Sequence, residues 1–227
     1  MDRPTVDVIR ERHDRLLDRL RAITADSGHD PERLRIVAIT KAHPIEIAEA
    51  ARDAGLTMLG ESRVQEAEPK IGAFPAIEWH FIGRLQSNKA RRVMRSFDAI
   101  HSVDSVELLQ RLDRLGTEED RRRRVLLQVN VSGEPSKAGL PPEALAGMAA
   151  PVNLDLVGLM TIAPMGASDA EARAIFGRLR GLRDRLQETA GIALPELSMG
   201  MSADAEAAAA EGATLIRIGT ALFGPRR

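Results

Sequence analysis

Eight short apolar runs, each followed by a helical stretch, dominate this sequence and leave few folds open to it. The runs lie at 34–40, 57–60, 78–83, 99–103, 125–131, 154–162, 196–200 and 214–219. Helical patterns fall between them at 44–54, 62–71, 87–94, 105–115, 142–150, 169–189 and 203–211. An amphipathic opening helix at 6–25 carries Ile9, Leu16, Leu17, Leu20 and Ile23 on one side. Ile36-Val37-Ala38-Ile39 is apolar without a break, which suits a parallel sheet buried on both faces. Eight alternations without a long linker predict an α/β fold, a single (β/α)8 TIM barrel with an extra N-terminal helix, as one domain over 1–227. The competitor is an open doubly wound sheet. The number of strands argues against it, as does the lack of a Gly-x-Gly-x-x-Gly turn after the first run. The alanine-rich stretch 205–210 reads as helix, not linker.

Composition narrows the function. The chain balances 32 Lys+Arg against 33 Asp+Glu, so it lacks the basic excess of a phosphate-backbone binder, and no nucleic-acid partner is expected. Arg121, Arg122, Arg123 and Arg124 read as a solvated surface segment. Without cysteine there is no disulfide, no thiolate metal site and no thiol nucleophile. The opening Met1-Asp2-Arg3-Pro4 carries no apolar signal region and no run reaches membrane-spanning length, so a soluble cytoplasmic protein is expected, with no membrane partner. Tyrosine is absent, which removes the phenol from every mechanism. The only lysines are Lys41, Lys70, Lys89 and Lys137 among 32 Lys+Arg. Where arginine is the default cation, a lysine marks a place where an amine that can lose its proton and attack a carbonyl is useful.

In a barrel of this type, chemistry sits at the carboxyl ends of the strands. Those ends carry Lys41, Glu61-Ser62, His80, Gly83, His101-Ser102, Asn130, the segment 161–164, Met199-Gly200 and Gly219-Thr220. Period-two alternation puts Val37, Ile39 and Lys41 on one side. If that side is the interior, the amine is partly desolvated and its pKa falls, as Schiff-base chemistry requires. The alternative is a lysine snorkelling to water. Arg217 lies mid-strand between aliphatic residues, where a buried cation needs either a carboxylate partner or a ligand. Gly219-Thr220 after the eighth strand and Met199-Gly200-Met201-Ser202 after the seventh occupy the two loops that often hold a phosphate in this fold. His80 and His101 lack partners at metal-site spacing and are expected to act through hydrogen bonds; no metal site is predicted. An amine, a phosphate cradle and a buried cation around one mouth suit an aldehyde bearing a phosphate. Pyridoxal 5′-phosphate fits, as an imine with Lys41.

Several segments resemble successive motifs of the pyridoxal phosphate homeostasis protein family. They are Ile39-Thr40-Lys41, Gly60-Glu61-Ser62-Arg63-Val64-Gln65-Glu66, and Trp79-His80-Phe81-Ile82-Gly83 continuing to Lys89. Further on come His101-Ser102-Val103-Asp104-Ser105, Val129-Asn130-Val131-Ser132-Gly133-Glu134, Ser136-Lys137-Ala138-Gly139 and the segment 158–164. The series closes with 197–204 and 217–224, so it runs in order over nearly the whole chain. The resemblance implies an alanine racemase N-terminal-domain-like barrel of fold type III that carries the cofactor on Lys41 as an internal aldimine. Ser202, Gly219 and Thr220 match the family's phosphate positions and Arg217 its arginine near the pyridine nitrogen, with His80, Met199 and Gly200 also lining the cofactor. Ser62 stands where the family usually has asparagine; it is shorter and lacks the amide, so a bridging water would replace a direct contact.

The family implication is a protein that buffers or delivers pyridoxal 5′-phosphate, with apo-enzymes as recipients and no reaction of its own. An arginine at the ring nitrogen leaves that nitrogen unprotonated and weakens the electron sink that catalysis uses. Racemases of this fold use a lysine and a tyrosine as two bases, together with a second domain. Here there is no tyrosine, and the chain is expected to end with the barrel, as a monomer. Two alternatives stay open: a slow amino-acid racemase or other pyridoxal-phosphate-dependent enzyme using His80 or His101 as second base, and a barrel aldolase or isomerase in which Lys41 attacks a sugar aldehyde. Lys137 is the most plausible rival amine, and Arg63 with Lys89 marks a conceivable second cofactor site.

Overall fold

The computed structural model describes residues 4–134, 137–148 and 150–225. Met1, Asp2, Arg3, Ser136 and Ala149, which enter the sequence expectations above, lie outside them. Eight parallel strands close into one barrel in sequence order: β1 (Arg35–Ile39), β2 (Met58–Glu61), β3 (Glu78–Phe81), β4 (Ala99–Val103), β5 (Arg124–Gln128), β6 (Asp155–Met160), β7 (Glu196–Ser198) and β8 (Leu215–Ile218). Closure is made by β8 against β1, with Val37 opposite Arg217. The helices are α1 (Val6–Asp26), α2 (Ile45–Asp53), α3 (Val64–Ala73), α4 (Ala90–Ser96), α5 (Val106–Glu118), α6 (Asp169–Ala190), α7 (Ala205–Ala210) and α8 (Thr220–Phe223). The closed barrel, and not the open sheet, is the fold.

Alternation along each strand sorts side chains into two cores. Val37, Ile39, Leu126, Met160 and Leu215 fill the barrel interior. Ile36, Ala38, Leu59, Trp79, Phe81, Ile100, Leu127, Leu197, Ile216 and Ile218 face outward under the helices. A strand buried on both faces cannot alternate apolar with polar, which is why these runs are continuous. Each fully buried large side chain contributes about 1.5–3 kcal/mol, and the outer layer holds most of them.

Helix starts follow local chemistry. Ser105 Oγ accepts the Leu108 N–H at the start of α5, and Ser168 with Glu171 forms a capping box on α6. Gly191, left-handed at φ 63°, ends α6. The added helix α1 begins at Thr5, whose side chain accepts from Val8, and seats Ile9 and Leu20 against the barrel's outer layer.

Three local expectations are corrected. The stretch 142–150 forms only a 3-10 turn at Pro142–Leu145, because Gly147 takes φ 76° and the chain turns away. The fifth strand stops at Gln128 instead of continuing to 131. There the chain folds back on itself, and Asn130 N–H donates to the Leu140 carbonyl at 2.9 Å. The arginine run is solvated only in its first half: Arg121 and Arg122 are exposed, while Arg123 and Arg124 are half-buried. Arg122 is bonded to Asp155, Arg123 reaches the Met94 carbonyl at 3.0 Å, and Arg124 belongs to β5 and bonds Glu78 at 2.6 Å.

Candidate functional site

The carboxyl ends of β1, β7 and β8 converge. Lys41 follows β1, two residues beyond Ile39 on the interior side, and is half-buried. Gly219, at the end of β8, packs so close to β1 that an added Cβ would lie 3.4 Å from the Ile39 carbonyl. The β8 loop and the Lys41 strand end are therefore neighbours. Arg217 N–H donates to the Gly200 carbonyl at 3.0 Å, which joins the β7 loop to β8. Gly200 is left-handed at φ 87°, and a Cβ there would sit 2.4 Å from the Ala208 Cβ. Ser202 and Thr220 stand exposed on these loops and present hydroxyls to solvent. The Met199 side chain is fully buried in the outer core, so toward the mouth it offers backbone only. In the same loop, Asp204 Oδ1 accepts the Met201 N–H at 2.6 Å.

Arg217 points into the barrel and is only 4% exposed. Nη1 donates to Ser198 Oγ at 2.6 Å and Nη2 to the Thr161 carbonyl at 3.0 Å. Among the described residues no carboxylate lies within ion-pair distance of it. Burial lowers its pKa to about 10, with Asp204 pulling the other way, so the guanidinium remains charged at neutral pH. Among the described residues the structural ion pair that would explain a buried arginine is absent, and its guanidinium is met only by the neutral acceptors Ser198 and Thr161. That fits an acceptor atom on a ligand, such as an unprotonated ring nitrogen.

The histidines do not project freely into the mouth. His80 Nδ1 is 2.7 Å from His101 Nε2, and His80 Nε2 is 2.6 Å from Glu78 Oε1. His101 Nδ1 is 2.8 Å from Ser198 Oγ. All four ring nitrogens thus have protein partners, and any influence of His80 on a ligand passes through its neighbours. Burial, aided by the nearby Arg217 charge, pushes the His101 pKa well below the ordinary value. No group of three or more metal-ligating side chains occurs among the described residues.

On the β2–β3 side, Ser62 is half-buried, and its carbonyl would lie 2.1 Å from a Cβ on Gly83. Only glycine permits that approach of the two strand ends. Glu61, expected at the mouth, faces outward instead. Lys70 of α3 donates to Glu61 Oε1 at 2.6 Å and to the Thr40 carbonyl at 2.9 Å, and Thr40 Oγ1 donates to Glu61 at 2.8 Å. Burial raises the Glu61 pKa against the pull of Lys70. Sequence reasoning missed this cluster; its one signal was a lysine in an otherwise arginine-rich chain. Lys137 lies 3.2 Å from Glu134, yet its amine is buried without hydrogen-bond geometry to that carboxylate, so the contact is ionic only. Arg63 and Lys89 line a small outer cavity of about 160 Å³ with Arg84 and Gln86, and Arg63 is held by Glu66 at 2.7 Å.

The family model for the alanine racemase N-terminal domain matches residues 13–227. A pyridoxal phosphate homeostasis protein of Synechocystis is 44% identical over 203 residues, covering 86% of this chain and 93% of the relative. The solved structure of PipY from Synechococcus elongatus with pyridoxal phosphate bound is 41% identical with a TM-score of 0.80, covering 90% of this chain and all of that one. Alanine racemase of Clostridium difficile, 16% identical with a TM-score of 0.73, shares the fold over 91% of this chain and 56% of its own length. The curated relatives from Synechocystis and Aquifex aeolicus, 44% and 40% identical, carry the homeostasis name. No helix among the described residues is long and apolar enough to cross a membrane.

Proposed function

The chain belongs to the pyridoxal phosphate homeostasis proteins, built on the alanine racemase N-terminal domain, and from that premise we propose that it binds pyridoxal 5′-phosphate at the barrel mouth and regulates its supply. The observation that carries this reading is Arg217: a buried cation with no carboxylate partner among the described residues, on the strand that pairs with β1, whose end leads into Lys41. Bound there, pyridoxal 5′-phosphate supplies an aldehyde that an uncharged amine captures with loss of water. Lys41 is the residue that offers the amine, since Lys70 is committed to Glu61 and Thr40. Arg217 would hold the ring nitrogen, and a guanidinium, which only donates, would favour that nitrogen unprotonated. Ser202, Gly219 and Thr220 receive the phosphate, with Gly200 shaping the β7 loop and Ser62 contributing through water.

Within this reading the protein is a carrier and not a catalyst. Removing an α-proton from an amino acid needs a second base opposite Lys41. The chain has no tyrosine, and His80 and His101 have every ring nitrogen engaged within the barrel. The protein acts as a monomer in the cytoplasm, handing cofactor to apo-enzymes, without nucleic-acid partners.

Borohydride reduction of the loaded protein followed by peptide mass mapping tests the assignment: pyridoxyl mass is expected on Lys41 and absent from Lys41→Ala. Adduct on Lys137 or Lys89 instead would overturn it. Incubation with α-deuterated D- or L-amino acids tests the carrier role, and prompt loss of deuterium would make the protein an enzyme.

A further inference from the structure

Five side chains link the two ends of the barrel by its interior. Arg124 and Glu78 sit at the amino ends of β5 and β3, 2.6 Å apart, on the face opposite the mouth. From Glu78 the contacts run to His80, then His101, then Ser198 and finally Arg217, each between 2.6 and 2.8 Å. Apart from Arg124 and Glu78, these groups are almost wholly buried. Their side chains share the interior face, because Trp79, Ile100, Leu197 and Ile216, which alternate with them, face outward.

Proton counting gives the chain a direction. A guanidinium only donates, so Ser198 Oγ accepts from Arg217. The hydroxyl's own proton then goes to its other partner, His101 Nδ1. His101, buried and neutral, carries its proton on Nε2 and donates it to His80 Nδ1. His80 carries its proton on Nε2 and donates it to Glu78, whose carboxylate only accepts. Each of the four contacts holds one proton and no group is left over. In the reverse direction His80 is an imidazolium, and both Arg217 and His101 donate to Ser198, whose hydroxyl proton has no acceptor among the described residues. A buried donor left in that way costs about 1–3 kcal/mol.

We infer that Glu78, His80, His101 and Ser198 form one directional hydrogen-bond relay that positions Arg217 and polarises its guanidinium from the far end of the barrel. All four are positioning residues. Their ring, hydroxyl and carboxylate contacts lead to Arg217, and bonds aligned head to tail in a low-dielectric interior reinforce one another. The inference rests on the cofactor reading for its consequence, though not for the relay itself.

Two measurements test it. Nitrogen-15 NMR of the histidine-labelled protein without cofactor should find His80 and His101 both as neutral Nε2–H tautomers with slowly exchanging protons. An Nδ1–H tautomer at either, or an imidazolium at His80, overturns the relay. With cofactor loaded, Ser198→Ala should shift the bound absorption band and speed cofactor loss by about tenfold. Glu78→Gln should shift both in the same direction by less, and Ser198→Thr should restore wild-type behaviour. A band and an off-rate unchanged in both Ser198→Ala and Glu78→Gln would show that the chain merely fills the core. Pyridoxyl mass recovered on Lys41 in these variants keeps this question separate from the cofactor reading, which fails only if the wild-type protein gains none.

Discussion

The Lys70 ammonium donates to the Thr40 carbonyl at 2.9 Å, so the peptide leading into Lys41 is held from behind by a buried side chain of α3. The same ammonium is paired with Glu61 at 2.6 Å, and neither side chain is more than 4% exposed. The proposed cofactor lysine therefore stands on a strand end whose outer side is tied down electrostatically.

Breaking that pair should be costly. Lys70→Met leaves Glu61 buried without its cation, and loss of one partner of a buried pair costs about 3–5 kcal/mol. Glu61 can soften this by taking a proton, since burial already raises its pKa. The expected loss is about 3 kcal/mol in urea unfolding, much of it recovered in the double variant Lys70→Met/Glu61→Leu. A single-variant loss below about 1 kcal/mol would contradict the arrangement.

Arg217→Leu should affect ligand and fold unequally. The variant gives up two hydrogen bonds to Ser198 and Thr161 but also removes a buried cation without a carboxylate, so apo stability should change little. Cofactor retention should fall by about tenfold or more, the worth of a hydrogen bond from a charged donor. Stopped-flow transfer to a scavenger reads this directly; an unchanged off-rate would make the guanidinium purely structural.

Gly200→Ala meets two obstacles at once: a left-handed φ of 87° and a Cβ 2.4 Å from that of Ala208. The strain amounts to about 1–3 kcal/mol, and relief requires moving the β7 loop away from Arg217. Thermal melting should show the loss, and cofactor binding should weaken with it. A variant as stable as wild type would mean that the turn is differently built.

Glu78 should dominate part of the acid response. The hydrogen bond from His80, with Arg124 beside it, holds the carboxyl at about 2 against an ordinary 4.5. A depressed carboxyl contributes stability above pH 4.5 that disappears as pH falls toward 2. Allowing for a side chain 31% exposed, this amounts to about 2 kcal/mol. The stability gap between wild type and Glu78→Gln should therefore close over that interval in melts at stepped pH. A gap that stays constant would mean the carboxyl is not held low.

Much of the architecture was legible because it is local. Continuous apolar runs, capping serines and terminal glycines act over a few residues, and they identified all eight strands and the strand-end positions of Lys41, Gly200 and Gly219. Errors arose where the chain meets distant chain. The fifth strand ends early because its successor loop folds back at Leu140, and Glu61 turns outward to meet Lys70 on a helix.

Read alone, the amino-acid order determined the barrel, the strand end at which Lys41 lies, and the presence of a cation inside β8. Only tertiary structure decided what that cation touches. Ser198 meets His101 across 97 residues of chain, and Arg217 meets Thr161 across 56. Such contacts depend on barrel closure and on irregular register in β4–β5 and β5–β6, which no short-range pattern encodes. Periodicity specifies which face a side chain takes; which partner waits on that face is set by how the sheet closes.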